Sequence, residues 1–124
     1  MDSEVNLLFN RAENELIISS LLKEMSEDDE MKKKFVIEPK FTFYSAVISH
    51  AYYSIFYSTK AYLISNGIEL PKQGQHQAVY YKFKKLVKEG SVNREMLNIY
   101  EELKTRAEIL LEIYEIEEQK RTEY

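Results

Sequence analysis

The stretch from Thr42 to Gly67 limits the possible folds more than any other part of the chain. It carries Phe43, Tyr44, Tyr52, Tyr53, Phe56, Tyr57 and Tyr62, with Ala46, Ala51, Ala61 and several serines between them. No glycine or proline interrupts it before Gly67, and Asn66-Gly67 is a helix stop. The pattern predicts one long helix starting near Thr42. Small residues let a neighbouring helix approach closely, while tyrosine rings bury area and keep a polar tip. Aromatics on more than one side predict a helix central to the fold or set in a subunit interface.

Three further segments have helical periodicity. The first runs from about Ser3, a cap with Glu4 behind it, to Met25, and Val5, Leu8, Ala12, Leu16 and Leu22 fall near one face. The third spans about Gln75 to Glu89 and stops at Gly90, with Ala78, Val79, Phe83, Leu86 and Val87 as its apolar stripe. The fourth runs from Ser91 or Asn93 to about Gln119. Its Met96, Tyr100, Leu103, Ala107, Leu110 and Tyr114 alternate by four and three, the spacing of an antiparallel seam. Residues 26–40 flip from acidic to basic and end at Pro39, which reads as a charged loop with at most a short helical turn. The expected fold is an all-α antiparallel four-helix bundle, one domain over residues 1–124, with the second helix packed on the fourth. The surplus of aromatic and small residues on the second helix predicts a homodimer.

Composition narrows the chemistry. Three glycines and two prolines in 124 residues are too few for a loop-rich or all-β protein. Without cysteine there are no disulfides, thiolate metal sites or cysteine nucleophiles, which fits a reducing cytoplasm. No apolar run approaches the roughly 20 residues of a membrane span, so no membrane partner is expected. The net charge of −4 opposes a uniform positive field for nucleic acid. Its distribution is uneven: residues 71–90 hold five Lys and one Glu, residues 101–118 seven Glu, one Lys and one Arg. The basic stretch is either a solvated helix face or a surface for phosphate or an acidic partner.

A di-iron bundle needs Glu-x-x-His pairs, but Val47 stands three residues before His50 and Gln73 three before His76. No nucleophile elbow, phosphate loop or dinucleotide fingerprint is present. No metal or cofactor is expected. The remaining candidates are scattered. His50 shares a side of the second helix with Ser54 and Tyr57, and Tyr53 stands beside them in the aromatic run. His76 opens the third helix. Arg106 sits in the acidic fourth helix, where Glu102 is an available ion-pair partner. Arg121 and Tyr124 end the chain.

The run Ser45-Ala-Val-Ile-Ser-His-Ala-Tyr-Tyr-Ser-Ile-Phe-Tyr-Ser-Thr-Lys-Ala-Tyr-Leu63 resembles the second helix of prokaryotic HEPN domains, which carry an Ala-Tyr-Tyr-x-x-Phe core. Ala51, Tyr52, Tyr53, Phe56, Ala61 and Leu63 match it. His76 falls where many members place a histidine, and Val79, Phe83, Val87 and Gly90 continue the pattern. Arg121-Thr-Glu-Tyr124 is similar to an element that follows the family's last long helix. The resemblance spans roughly residues 5–124. It implies an antiparallel bundle, commonly a homodimer with a cleft near its axis, and for many members a ribonuclease toxin partnered by a minimal nucleotidyltransferase.

The ribonucleases of that family use an Arg followed, after four to six residues, by a His. Here the window after Arg106 holds Leu111, Glu112 and Ile113, and the window after Arg121 lies beyond Tyr124. A chain that continues past Tyr124 is the expectation on that ground. Metal-free RNA cleavage needs a proton-transfer group of near-neutral pKa and a cation for the phosphorane, and Arg supplies only the second. Three functions follow. The favoured one is a module that binds nucleotide, RNA or a partner nucleotidyltransferase, with His50, Tyr53, Tyr57, His76 and Tyr124 as ligand contacts. The second is a metal-independent ribonuclease toxin using Arg121 or Arg106, and the third a purely structural dimer.

Overall fold

The computed structural model describes residues 3–123, and side chains through residue 110. The chain is all helix, in the order α1 (Ser3–Glu27), α2 (Asp29–Lys34), α3 (Tyr44–Ser65), α4 (Gln75–Lys88) and α5 (Arg94–Glu123). The four long helices lie where the periodicity puts them. The fifth, α2, occupies the charged run. Asp28 caps it by accepting the Met31 N–H at 3.1 Å, and Lys32–Lys34 stand in its last turn, facing the carbonyl end of the dipole. No helix among the described residues is long and apolar enough to cross a membrane.

The stops after α3 and α4 share one construction. Gly67 N–H bonds Ile64 O and Ile68 N–H bonds Leu63 O; Gly90 N–H bonds Val87 O and Ser91 N–H bonds Leu86 O. Both glycines adopt positive φ, as this double closure requires.

Helix α3 is the centre. On one side α4 and α5 enclose the main core of Phe56, Leu63, Val79, Phe83, Val87, Leu97 and Tyr100. On the other side α1 lies along nearly its whole length, antiparallel. Ser54 Oγ donates to the Ala12 carbonyl at 2.9 Å and Ser19 Oγ to the Val47 carbonyl at 2.8 Å. Ser26 Oγ takes the Phe43 N–H at 2.7 Å. A short hydroxyl reaches a neighbouring helix's backbone only where the helices run very close, and the small residues permit this. Val5, Ala12, Ser19 and Ser26 are the buried positions of α1, seven residues apart. Among the described residues α1 packs on α3 and α2 and not on α4 or α5.

Two expectations are corrected. Leu16 does not face the bundle but is 54% exposed; the α1 seam continues from Ala12 through Glu15 and Ser19, polar residues that hide its period. Met96 is exposed as well, and Leu97 takes its core place. The surplus on the central helix is also largely consumed inside one chain, because α3 has neighbours on two sides.

Candidate functional site

A cleft of about 580 Å³ opens between α3, the start of α4 and α5. Ser45, Ser49, Tyr52 and Tyr53 line it from α3. Their spacing of four, three and one puts them on one helix face. His76 contributes from the first turn of α4, just after Gly74 takes up the left-handed N-cap conformation. Lys104, Ala107, Glu108 and Leu110 form the α5 wall.

Aromatic rings build the inner end. The His76 imidazole stacks on Phe56 with centroids 3.9 Å apart and planes 11° from parallel. Tyr53 meets His76 edge-on at 6.0 Å. The Tyr52 hydroxyl lies 3.0 Å from His76 Nδ1, and its ring packs edge-on against Tyr100 at 6.2 Å. The Tyr100 hydroxyl is fully buried and makes no well-formed hydrogen bond among the described residues.

The electrostatics follow from these contacts. Burial, and then the Lys60 ammonium, push the His76 pKa below the usual imidazole range, so the ring is neutral at pH 7. Burial, then Tyr53 and Glu108, push Tyr52 up to about 12 despite its contact with Tyr100. Burial likewise raises Tyr100. Both phenols are therefore protonated at any physiological pH. Lys104 supplies the cation: its Nζ is 2.6 Å from Glu108 and 5.0 Å from the Tyr80 ring centroid. Flat aromatic surface, a neutral imidazole and serine hydroxyls suit a planar ring, and a lysine lies beside them, paired with the Glu108 carboxylate that also lines the cleft. Among the described residues no group of three metal-ligating side chains exists.

The structure brings Tyr53 and His76 together in this cleft and leaves His50, Tyr57 and Arg106 elsewhere. His50 faces α1, where its Nδ1 meets the Glu15 carboxylate. Tyr57 also faces α1, with the Arg11 guanidinium 4.3 Å above its ring. Arg106 pairs with Glu102 at 2.9 Å on the exposed side of α5. The side chains of Tyr114, Arg121 and Tyr124 lie outside the described residues. Sequence reading missed Ser45, Ser49, Tyr52 and Lys104 as cleft residues. The signal was the shared face of 45, 49, 52 and 53, centred roughly 100° around α3 from His50.

Comparison with known proteins gives one match: a family model described as HEPN domain covers residues 5–120. No curated protein and no solved structure matches the chain.

Proposed function

The chain belongs to the HEPN domain family, and from that premise we propose that it is a binding module that takes a nucleotide, free or within single-stranded RNA, in the α3–α4–α5 cleft. The observation that carries this reading is the cleft itself, which Tyr53, His76 and Lys104 line together. A base stacks on aromatic side chains whatever its identity, and a lysine neutralises the phosphate beside it. Within residues 1–124 neither His50 nor His76 follows an arginine at the ribonuclease spacing, which favours binding over cleavage as the role of this cleft.

The proposal extends to assembly. A second copy packs on the outward side of α1, where Leu7, Ile17, Ile18 and Leu21 stand exposed. A minimal nucleotidyltransferase is the protein partner, and a chain without cysteine suits the cytoplasm. Co-purification from the host checks the partner.

Binding is tested with adenosine monophosphate and a short oligoadenylate, followed by calorimetry. Tyr53→Ala weakens binding about tenfold, since stacking is worth ~1–3 kcal/mol per base. Lys104→Gln weakens it less and flattens its salt dependence. His50→Gln, at a residue that is held by Glu15 of α1 and does not line the cleft, leaves it unchanged. No heat at millimolar ligand, or equal affinity in all three variants, refutes the assignment. RNA cleavage by the purified chain that survives Arg121→Ala and Arg106→Ala would remove both arginines from any catalytic role.

A further inference from the structure

Helix α4 turns a basic side with an aromatic ring in it to solvent. Val79, Phe83 and Val87 are its buried positions. Gln77, Tyr81, Lys84 and Lys88 follow one another by four, three and four on the side away from them, with Lys85 one turn beyond Tyr81. The Tyr81 ring is 56% exposed. The fold leaves these cations uncompensated. Its ion pairs engage Lys32, Lys40, His50, Lys104 and Arg106, and among the described residues no carboxylate pairs with Lys84, Lys85 or Lys88. Lys82 differs, since the Glu69 carbonyl accepts its ammonium at 2.5 Å. Lys84 and Lys88 stand four apart, where like charges oppose each other on a helix, and an anion laid along them relieves that repulsion.

This strip joins the cleft. The Tyr80 ring has the Lys84 ammonium 5.9 Å and the Lys104 ammonium 5.0 Å from its centroid. Lys84 belongs to the strip and Lys104 to the cleft wall. The rings are continuous as well: Tyr52 of the cleft touches Tyr100, Tyr100 touches Tyr80, and Tyr80 meets Tyr81 with centroids 5.3 Å apart. On the α5 side Glu101 takes the Tyr80 hydroxyl at 3.1 Å and Glu108 holds Lys104, so negative charge there turns a phosphate toward α4. We infer that the cleft and the outer side of α4 form one binding track for a single-stranded polynucleotide, with one base in the cleft, phosphates along Lys84 and Lys88, and a further base on Tyr81. The inference rests on the cleft taking a base, while the strip stands on its own charges.

Uncompensated lysines attract any polyanion, and the exposed ring among them selects the kind. Unpaired bases stack on a tyrosine whatever their identity, whereas in a duplex the base faces are already stacked on each other. An acidic polypeptide satisfies the lysines but draws nothing from the flat ring that a leucine would not supply. The net charge of −4 confines a polyanion to this strip, because the rest of the surface repels it. A mononucleotide occupies the cleft alone, so its affinity is independent of α4; the affinity of a strand is not.

The test uses the full chain and two probes, adenosine monophosphate and a labelled oligoadenylate of about ten nucleotides, titrated over a range of salt concentrations. The wild-type chain binds the oligonucleotide about tenfold or more tighter than the mononucleotide. Lys84→Gln/Lys88→Gln leaves the mononucleotide unchanged, removes most of that gain, and lowers the slope of log affinity against log salt by about 1.4, the share of two single-strand phosphates. Tyr81→Leu weakens the oligonucleotide about tenfold and Tyr81→Phe restores it. These side chains are exposed or half-exposed, so the variants keep the fold. Lys33→Gln/Lys34→Gln removes the same charge from α2, which touches neither α4 nor α5 among the described residues, and changes neither affinity. An unchanged salt slope in the α4 double variant, with the mononucleotide still bound, overturns the track and leaves the cleft reading intact. Oligonucleotide binding that needs Lys84 and Lys88 but ignores Tyr53→Ala overturns the joined track and the cleft reading together. Polyglutamate that displaces the oligonucleotide, with Tyr81→Leu affecting neither, overturns the polynucleotide assignment in favour of an acidic polypeptide.

Discussion

Val36 holds a conformation that its own chemistry opposes. Its φ is +57°, the left-handed region, where a β-branched side chain crowds its own backbone, yet the side chain is 94% exposed and gains nothing from packing. Neighbouring contacts impose the turn. Lys32 is only 2% exposed, and its Nζ donates to the Pro39 carbonyl at 2.8 Å. The Lys32 carbonyl meanwhile receives the Ile37 N–H at 2.9 Å. One residue thus ties both ends of the turn and holds Val36 at its tip. Replacing Val36 by Gly removes a strain of ~1–2 kcal/mol and adds up to ~1 kcal/mol of unfolded-state entropy. Val36→Gly therefore stabilises by up to about 1 kcal/mol, read as a higher urea midpoint at unchanged slope. A lower midpoint would mean that the valine makes a contact the exposure does not show. Nothing in the sequence marks this turn: Lys32, Lys33 and Lys34 look alike, and only the fold decides which of them is buried.

The α1–α3 pair shows where element-level reading succeeds and where it fails. Both helices were legible in length and position, because each has an uninterrupted period and a clear cap or stop. The face that α1 buries was not. Counting apolar residues selects Leu16, but the contact follows sevenfold steps through Ala12, Ser19 and Ser26, two of them polar. Close approach makes small size matter more there than hydrophobicity, and the hydroxyls satisfy themselves on the partner's carbonyls. The cleft escaped for a related reason, since its polar members, Ser45, Ser49 and Lys104, belong to no motif. The seam reading inverts the usual ranking of substitutions. Ser19→Leu forces the helices apart and removes the bond to Val47, costing ~1–3 kcal/mol or more. Leu16→Ser, on the exposed side, costs within ~0.5 kcal/mol. Urea unfolding of the two variants compares them directly, and a larger loss from Leu16→Ser would place the seam on the wrong face.

At the scale of the whole molecule, α3 carries two unlike interfaces, a close polar one to α1 and an aromatic one to α4 and α5. That division explains why four long helices and an all-α class could be read from periodicity while the surface open to a partner could not. Which apolar residues remain outside depends on how many neighbours each helix has, and among the described residues α1 has one long neighbour. Leu7, Ile18 and Leu21 stand on its far side, with Leu7 68% exposed and Ile17 beside them. Leu7 and Leu21 stand two heptads apart with the polar Asn14 between them, and Ile18 stands four after Asn14, so this side carries a short apolar stripe interrupted by Asn14. An exposed apolar stripe of this kind favours a two-fold pairing of α1 with its copy, because one helix face then covers itself. The double variant Ile18→Lys/Leu21→Lys puts like charges where the two copies would meet, while the α1–α3 seam stays intact. Light scattering then moves from twice the chain mass of 14.8 kDa to that mass, and the concentration dependence of thermal unfolding disappears. Tyr53→Ala, in the cleft, leaves the mass doubled. A wild-type chain that scatters as a monomer at micromolar concentration removes the α1 pairing and leaves the cleft as a property of one chain.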